Sequence, residues 1–349
     1  MRCPIPRPAI LPDRDALDAL LARWLPGVAI SMMPAASGGS TPVWRVDTEA
    51  IQDNEGGETF YLRLAEEPGE RRTGEVRVHQ LLHAAGVLIP DVVAWEDRPP
   101  ELDRAATLTR AVHGLPLKEL AQAIPADDVA AIAWAAGRDL AAIAATPVDG
   151  FGWIALPDAM TGTLRAEHPT RSAWVAGYDA ALDEVIAAGL VASGRLPALR
   201  AAYADWRDPS AGSPSTSAAR LAHGDFDATH IFCMAGSLPG SPARYTGIID
   251  FGEARGADPC YDLGHALLHD GEDGTPPIFP ALLDGYRDRA GSTPITVGLD
   301  AIRIQAIAIG VRHLAIAHKR SSPYAVSLAR RIDHLLAARS GDDGGSVRP

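Results

Sequence analysis

HGDFDATHIF (residues 223–232) and IIDFGEARGADPCYDL (248–263) are the two stretches on which the reading of this chain turns. The first sets Asp225 and His230 in a polar loop bounded by apolar residues. HIFCM (230–234) and RYTGIID (244–250) then read as short strands joined by a Gly, Pro and Ser turn. A hairpin brings its two ends together, so Asp225, His230 and Asp250 should converge on one site. Two carboxylates and a third ligand in one place suit phosphoryl transfer. One aspartate orients and deprotonates an accepting hydroxyl, while the other groups hold Mg2+ across nucleotide phosphates.

Composition sets outer bounds on this reading. A chain of 349 residues has room for one large domain or two moderate ones. Apolar residues make up 47% and charged residues 22%, enough for a sizeable core under an ordinarily charged surface. Asp and Glu number 44 against 32 Lys and Arg, a net charge of −12. That argues against nucleic acid or an anionic membrane as partner, since both need clustered basic residues. It fits a cationic small molecule, and equally a surface charged for solubility. Cys3, Cys233 and Cys260 are too few and too scattered for a disulfide framework or a zinc knuckle, and read as packing residues. The first 15 residues lack the apolar core of a secretory signal, and no apolar run approaches the roughly 18 residues of a membrane span. A reducing, cytoplasmic compartment is the expectation.

Two textures divide the chain. Residues 11–25 read as a helix opened by an Asp cap, with Leu17, Leu20, Leu21 and Leu25 on one face. GVAISMMP, TPVWRVDT and TFYLRLAE follow as strands, then the helix GEVRVHQLLHAAGV, then strands in LIPDVVAWED and AATLTRAV. This predicts a small, mostly antiparallel sheet with one inserted helix. Beyond it, ADDVAAIAWAAGRDLAAIAA (126–145) is a long Ala-rich helix with Asp127 or Asp128 as its cap. Residues 171–207 hold two more helices, 208–218 a surface loop, and the chain is helical again from 277. The expectation is an α+β fold in which a β-rich first third precedes a helical remainder holding one hairpin.

HGDFDATHIF…YTGIIDFGEARGADPCYDLG is highly specific as a set, with DFG at 250–252 and the kinase-type H-x-D-x-x-x-x-ligand spacing at 223–230. From roughly residue 28 to 330 the chain resembles the aminoglycoside phosphotransferase family, small-molecule kinases related to choline kinases. GFGWI (150–154) and GTLRAEHPT (162–170) look like the family's segment leading to its substrate-side helices. The resemblance implies a two-lobed, protein-kinase-like fold. It would have a nucleotide-binding lobe over 1–110, a catalytic and substrate-binding helical lobe over 111–340, and a disordered tail at 341–349. It implies Asp225 as the catalytic base, His223 as support for its loop, and His230 and Asp250 as Mg2+ ligands. Asp262 would be a structural partner of the loop. Ser37, Gly38, Gly39 and Ser40 occupy the place of the nucleotide-covering loop, where small residues let amides approach phosphate. Arg63 stands where the family has its phosphate-pairing lysine, and Glu75 would be its ion-pair partner. Thr109 and Ala111 lie in the hinge whose backbone meets the purine of ATP or GTP.

His230 departs from the commoner Asn, and Mg2+ prefers oxygen to imidazole. Macrolide phosphotransferases and 2″-directed aminoglycoside phosphotransferases resemble this chain in carrying His there, and tend to accept GTP. HQLLH (79–83) and HALLH (265–269) space histidines as a zinc pair would, but without the glutamate of zinc proteases. They read as packing histidines, with His269 also placed to line the site. Asp227, Glu253, His269, Asp270, Glu272 and Asp273 are the candidate substrate-binding residues. The run 261–274 is acidic without Lys or Arg, as a cationic amino sugar would require, and equally as a solvated loop would show. The substrate expected is an antibiotic, an aminoglycoside first, in a monomer or homodimer. A macrolide or metabolite kinase and a catalytically dead binding protein are the rivals.

Overall fold

The computed structural model describes residues 12–35, 42–49, 57–155, 162–209, 218–236, 238, 240–290 and 298–340. Ser37, Gly38, Gly39, Ser40, Cys3 and the 341–349 tail lie outside them. The chain divides into two compact units; the first runs to His113 and takes in Gly247–Ile249, and the second holds most of the remainder.

The first unit contains α1 (Arg14–Trp24), β1 (Ile30–Pro34), β2 (Val43–Thr48), β3 (Thr59–Leu64), α2 (Thr73–Ala84), β4 (Val92–Glu96) and β5 (Ala106–Arg110). Asp13 caps α1 by accepting from the Asp15 amide at 3.3 Å. The five strands form one antiparallel sheet in the order β1-β2-β3-β5-β4. Strand side chains alternate faces. Phe60, Leu62 and Leu64 therefore share the core with Trp44, Val46, Leu108 and the α1 leucines Leu17, Leu20 and Leu21. Tyr61 and Arg63 point to the opposite face. Each fully buried leucine contributes about 1.5–3 kcal/mol of burial energy.

The second unit begins with β6 (Leu115–Pro116), α3 (Leu117–Leu120), α4 (Ala126–Ala145), β7 (Val148–Asp149), β8 (Phe151–Ala155) and β9 (Leu164–His168). Next come α5 (Arg171–Ala187), α6 (Leu196–Arg207), β10 (Arg220–Ala222), β11 (Ile231–Met234), β12 (Arg244–Ile248) and β13 (Arg255–Ala257). Four helices close it: α7 (Tyr261–His269), α8 (Phe279–Ala290), α9 (Leu299–Lys319) and α10 (Tyr324–Ser340). Helix α9 is buried on nearly every side, as its Ile302, Ala306, Ile307, Ile309, Val311 and Leu314 show.

Two expectations fail here. The helical remainder holds more than a hairpin: β10-β13-β8-β9-β7 form a five-stranded sheet, and β6 joins the hairpin strands in the order β12-β11-β6. Those strands are two to five residues long, too short to show a period. Neither Asp127 nor Asp128 caps α4; Pro125 holds that position, and the Asp128 carboxylate accepts from the Ala243 amide at 2.8 Å. Among the described residues no helix is long and apolar enough to cross a membrane.

Candidate active site

The loop between β10 and β11 is held from behind by α7. Asp262, in the first turn of that helix and almost fully buried, accepts from the His223 amide at 2.7 Å and the Gly224 amide at 2.9 Å. Bonds from amides to an ionised carboxylate are roughly twice as strong as neutral ones, so this one side chain fixes the turn. Gly224 sits at φ +93, and a Cβ there would lie 2.0 Å from the Glu253 carbonyl, so glycine alone fits.

The His223 ring, with no exposed surface, joins the two motif segments. Its centroid lies 5.7 Å from Phe226, 5.4 Å from His230 and 4.8 Å from Phe251, edge-on to both phenylalanines. Its Nδ1 accepts from the Asp225 amide at 3.3 Å. The ring thus packs the Asp225–His230 loop against Phe251, the residue that follows Asp250. Asp250 has φ 66 and ψ 69, a left-handed conformation that costs a non-glycine residue about 1–3 kcal/mol and collects at functional positions. Its carboxylate accepts from the Gly252 amide at 3.4 Å.

Sequence reasoning missed His265. Its Nδ1 donates to the Phe226 carbonyl at 3.0 Å, and its Nε2 lies 3.2 Å from Asp225 Oδ1. The signal was legible: three residues after Asp262, it shares that residue's helix face and must look at the same loop. Burial works to raise the half-exposed Asp225 carboxyl, but His265, His230 and His223 outweigh it and hold the group well below the usual carboxylate range. Burial works to lower His265, and the hydrogen bond and charge of Asp225 raise it on balance. Asp225 is therefore ionised throughout the neutral range.

The expected substrate-side residues split. Asp227 accepts from the Thr229 amide at 2.6 Å, and its Oδ1 is 3.7 Å from His230 Nδ1. Glu253 accepts from Trp153 Nε1 at 3.0 Å and pairs with Arg255. Asp270 accepts from the Ile278 and Phe279 amides, with burial raising its carboxyl above the ordinary value. Burial also works to raise Glu272, yet His269, Tyr324 and Arg331 bring it down to about 2. Asp273 pairs with Lys118 at 2.8 Å. The acidic run is thus not an unopposed array of carboxylates, because its counter-charges come from distant parts of the chain. Asp227, His269, Asp270 and Glu272 nonetheless line one small open pocket with Lys118 and Thr229.

Among the residues expected at the nucleotide, in the first unit, Arg63 Nη1 meets Glu75 Oε1 at 3.4 Å. Arg72, which sequence reasoning passed over, takes the other Glu75 oxygen at 2.8 Å. Thr109 pairs with Tyr61 in the sheet, and the Ala111 amide donates to the Thr59 carbonyl at 2.9 Å. That amide is therefore committed within the sheet.

A kinase-type loop, a strained aspartate after a hairpin and a separate sheet with a charged pair define a class of phosphoryl-transfer protein. Residues 31–295 match the model of the phosphotransferase enzyme family, and the chain belongs to that family. Solved structures show the same fold. Aminoglycoside 2′-phosphotransferase-IIIa with GDP is 17% identical, covering 94% of this chain and 99% of its own, at a TM-score of 0.64. A thermostable mutant of aminoglycoside phosphotransferase APH(4)-Ia, in ternary complex with AMP-PNP and hygromycin B, is 18% identical, covering 95% and 100%, at 0.61. A third, from Ralstonia eutropha JMP134 and described as a putative aminoglycoside phosphotransferase, is 16% identical, covering 93% and 96%, also at 0.61. No curated protein matches the chain.

Proposed function

We propose that the protein transfers the γ-phosphate of ATP or GTP to a hydroxyl of a small molecule, with an aminoglycoside as the preferred acceptor. The observation that carries this is Asp225, ionised and held by His265 in a loop that Asp262 ties down. In a loose transition state the attacking oxygen needs orientation more than a strong base, so a carboxylate of depressed pKa suffices. His223 supports that loop. Asp250 would hold Mg2+ through the hard carboxylate oxygen it prefers, with His230 on the metal's side through a bound water and the cation keeping waters and phosphate oxygens besides. When bound, Mg2+ neutralises charge between the phosphates. Arg63, steadied by Glu75, would take the nucleotide phosphates as a fixed cation, with Ser37, Gly38, Gly39 and Ser40 covering them and Thr109 and Ala111 at the purine.

The pocket carrying Asp227, Asp270 and Glu272, and the aminoglycosides bound by solved relatives, support a cationic acceptor. The internal pairing of Asp270, Glu272 and Asp273 favours a second reading, a neutral hydroxylated metabolite. Incubating the purified protein with Mg2+, ATP or GTP and a panel of aminoglycosides, macrolides, sugars and amino alcohols tests both. A product heavier by one phosphate with an aminoglycoside is expected; turnover on sugars alone would replace the first reading by the second.

A further inference from the structure

Helix α7 places His265 and His269 one turn apart, and α9 brings His313 to them. One ligand atom from each of the three lies within 4.8 Å of the others. The ring centroids are 4.5 Å apart for His265 and His269, 5.5 Å for His265 and His313, and 6.1 Å for His269 and His313. Two of the rings have their other nitrogen occupied. His265 Nδ1 donates to the Phe226 carbonyl, and His269 Nδ1 lies 3.0 Å from Glu272 Oε2 and 2.9 Å from the Tyr324 hydroxyl. A backbone carbonyl or carboxylate on the far nitrogen is how metal-binding histidines are oriented. His269 Nε2 is buried with no hydrogen-bond partner among the described residues, on a side chain only 8% exposed. An imidazole nitrogen left dry in this way costs desolvation energy that a metal would recover.

We propose that His265, His269 and His313 form a transition-metal site suited to Zn2+, and that Asp225 supplies its fourth ligand when the site fills. Three imidazoles select Zn2+, Co2+, Ni2+ or Cu2+ over Mg2+, which keeps to oxygen. Zinc at about 2.0–2.1 Å from each nitrogen needs them ~3.4 Å apart, so filling the site draws the rings inward from a present spacing within 4.8 Å. Asp225 Oδ1, 3.2 Å from His265 Nε2, stands beside the three rings and would reach a fourth position by a movement of its side chain as the metal enters. Metal there withdraws the carboxylate from the acceptor hydroxyl, so occupancy inhibits transfer. The inhibitory half rests on the proposed function; the binding half does not.

The test uses the full chain without an affinity tag, wild type and His313→Gln. His313 is chosen because it has no part in the proposed transfer, and circular dichroism and melting confirm that the variant folds. Titration with ZnCl2 alone is expected to give one site per chain, weakened at least about tenfold in His313→Gln, the loss that outer-shell changes alone produce. Co2+ should give the visible bands of tetrahedral coordination in the wild type only. Equal zinc affinity in the two proteins, or no stoichiometric binding, overturns the site; the former would mean that zinc sits elsewhere, as at His230 and Asp250. With Mg2+, nucleotide and an acceptor, zinc should inhibit the wild type and spare His313→Gln. Inhibition equal in both overturns the role of Asp225. Absence of all turnover strikes the proposed function and leaves the binding result standing.

Discussion

Each unit carries a pair of histidines spaced one helical turn apart, and the two pairs have different fates. In α2, His79 Nδ1 and His83 Nε2 lie 2.9 and 3.3 Å from the same Pro90 carbonyl, and His83 also meets Asp91 at 3.1 Å. They staple the helix to the chain that follows it. In α7, His265 and His269 face inward, where Asp225, Glu272 and a third ring wait. An i, i+4 spacing states only that two rings share a face; what the face meets decides their chemistry. The same contrast separates the charged groups. Arg63 and Glu75 pair on one face of a sheet, while the 223–230 loop is held by buried amides, a buried carboxylate and rings packed edge-on.

The sharpest way to break this contrast is through Asp225. Asp225→Asn should lower the turnover rate about 10³-fold, with near-native circular dichroism. Activity within tenfold of wild type would remove Asp225 from the reaction. Asp262→Ala comes next, on stability rather than rate. It leaves two buried amides without an acceptor, at about 1–3 kcal/mol each, read as a shift in the urea midpoint. His79→Ala, the counterpart in α2, should cost about 1 kcal/mol; a larger loss than Asp262→Ala would invert the comparison.

A pH profile sharpens it further. Asp225 is depressed, so its ion pair stabilises the fold above the ordinary carboxylate pKa of about 3.9 and is lost as pH falls through the native value. The wild-type rate should therefore show no acid limb from Asp225 above about pH 4. In His265→Gln the largest counter-charge is gone, burial dominates, and an acid limb should move upward in pH. An unchanged profile would deny His265 its hold on Asp225. The smallest effect concerns Arg63. Arg63→Lys, which keeps charge but loses the fork, should raise the nucleotide KM several-fold with little change in kcat; a collapse of kcat would place Arg63 among the groups acting on the transition state.

Much of this was readable from residues in order. Asp13 announced α1, the alternation of β3 announced its buried face, and the 223–230 and 250–262 motifs announced the loop that Asp262 holds. What escaped was non-local. The short strands β7 to β10 and β13 pair with partners far along the chain, and no run of two to five residues displays its face. Asp128 looked like a cap but serves the Ala243 amide, because Pro125 already fits the turn. Lys118 and Arg331 neutralise, and Tyr324 hydrogen-bonds, an acidic run that looks bare when read alone. His313 on α9 gave no motif, since its neighbour on that helix, His318, follows five residues on and faces elsewhere.

The other side of helix α7 faces α9. Gly264 lies against Gln305 and Ala306, where a Cβ would come within 3.0 Å of the α9 backbone. With no side chain on Gly264, α7 rests close on α9, and the loop bearing Asp225 is tied to α7 through Asp262 and His265. The Asp225 carboxylate is thus aimed from the rear, by the depth at which one helix rests on another. Thickening that seam by a single methyl would misalign the enzyme without touching any group a ligand can reach.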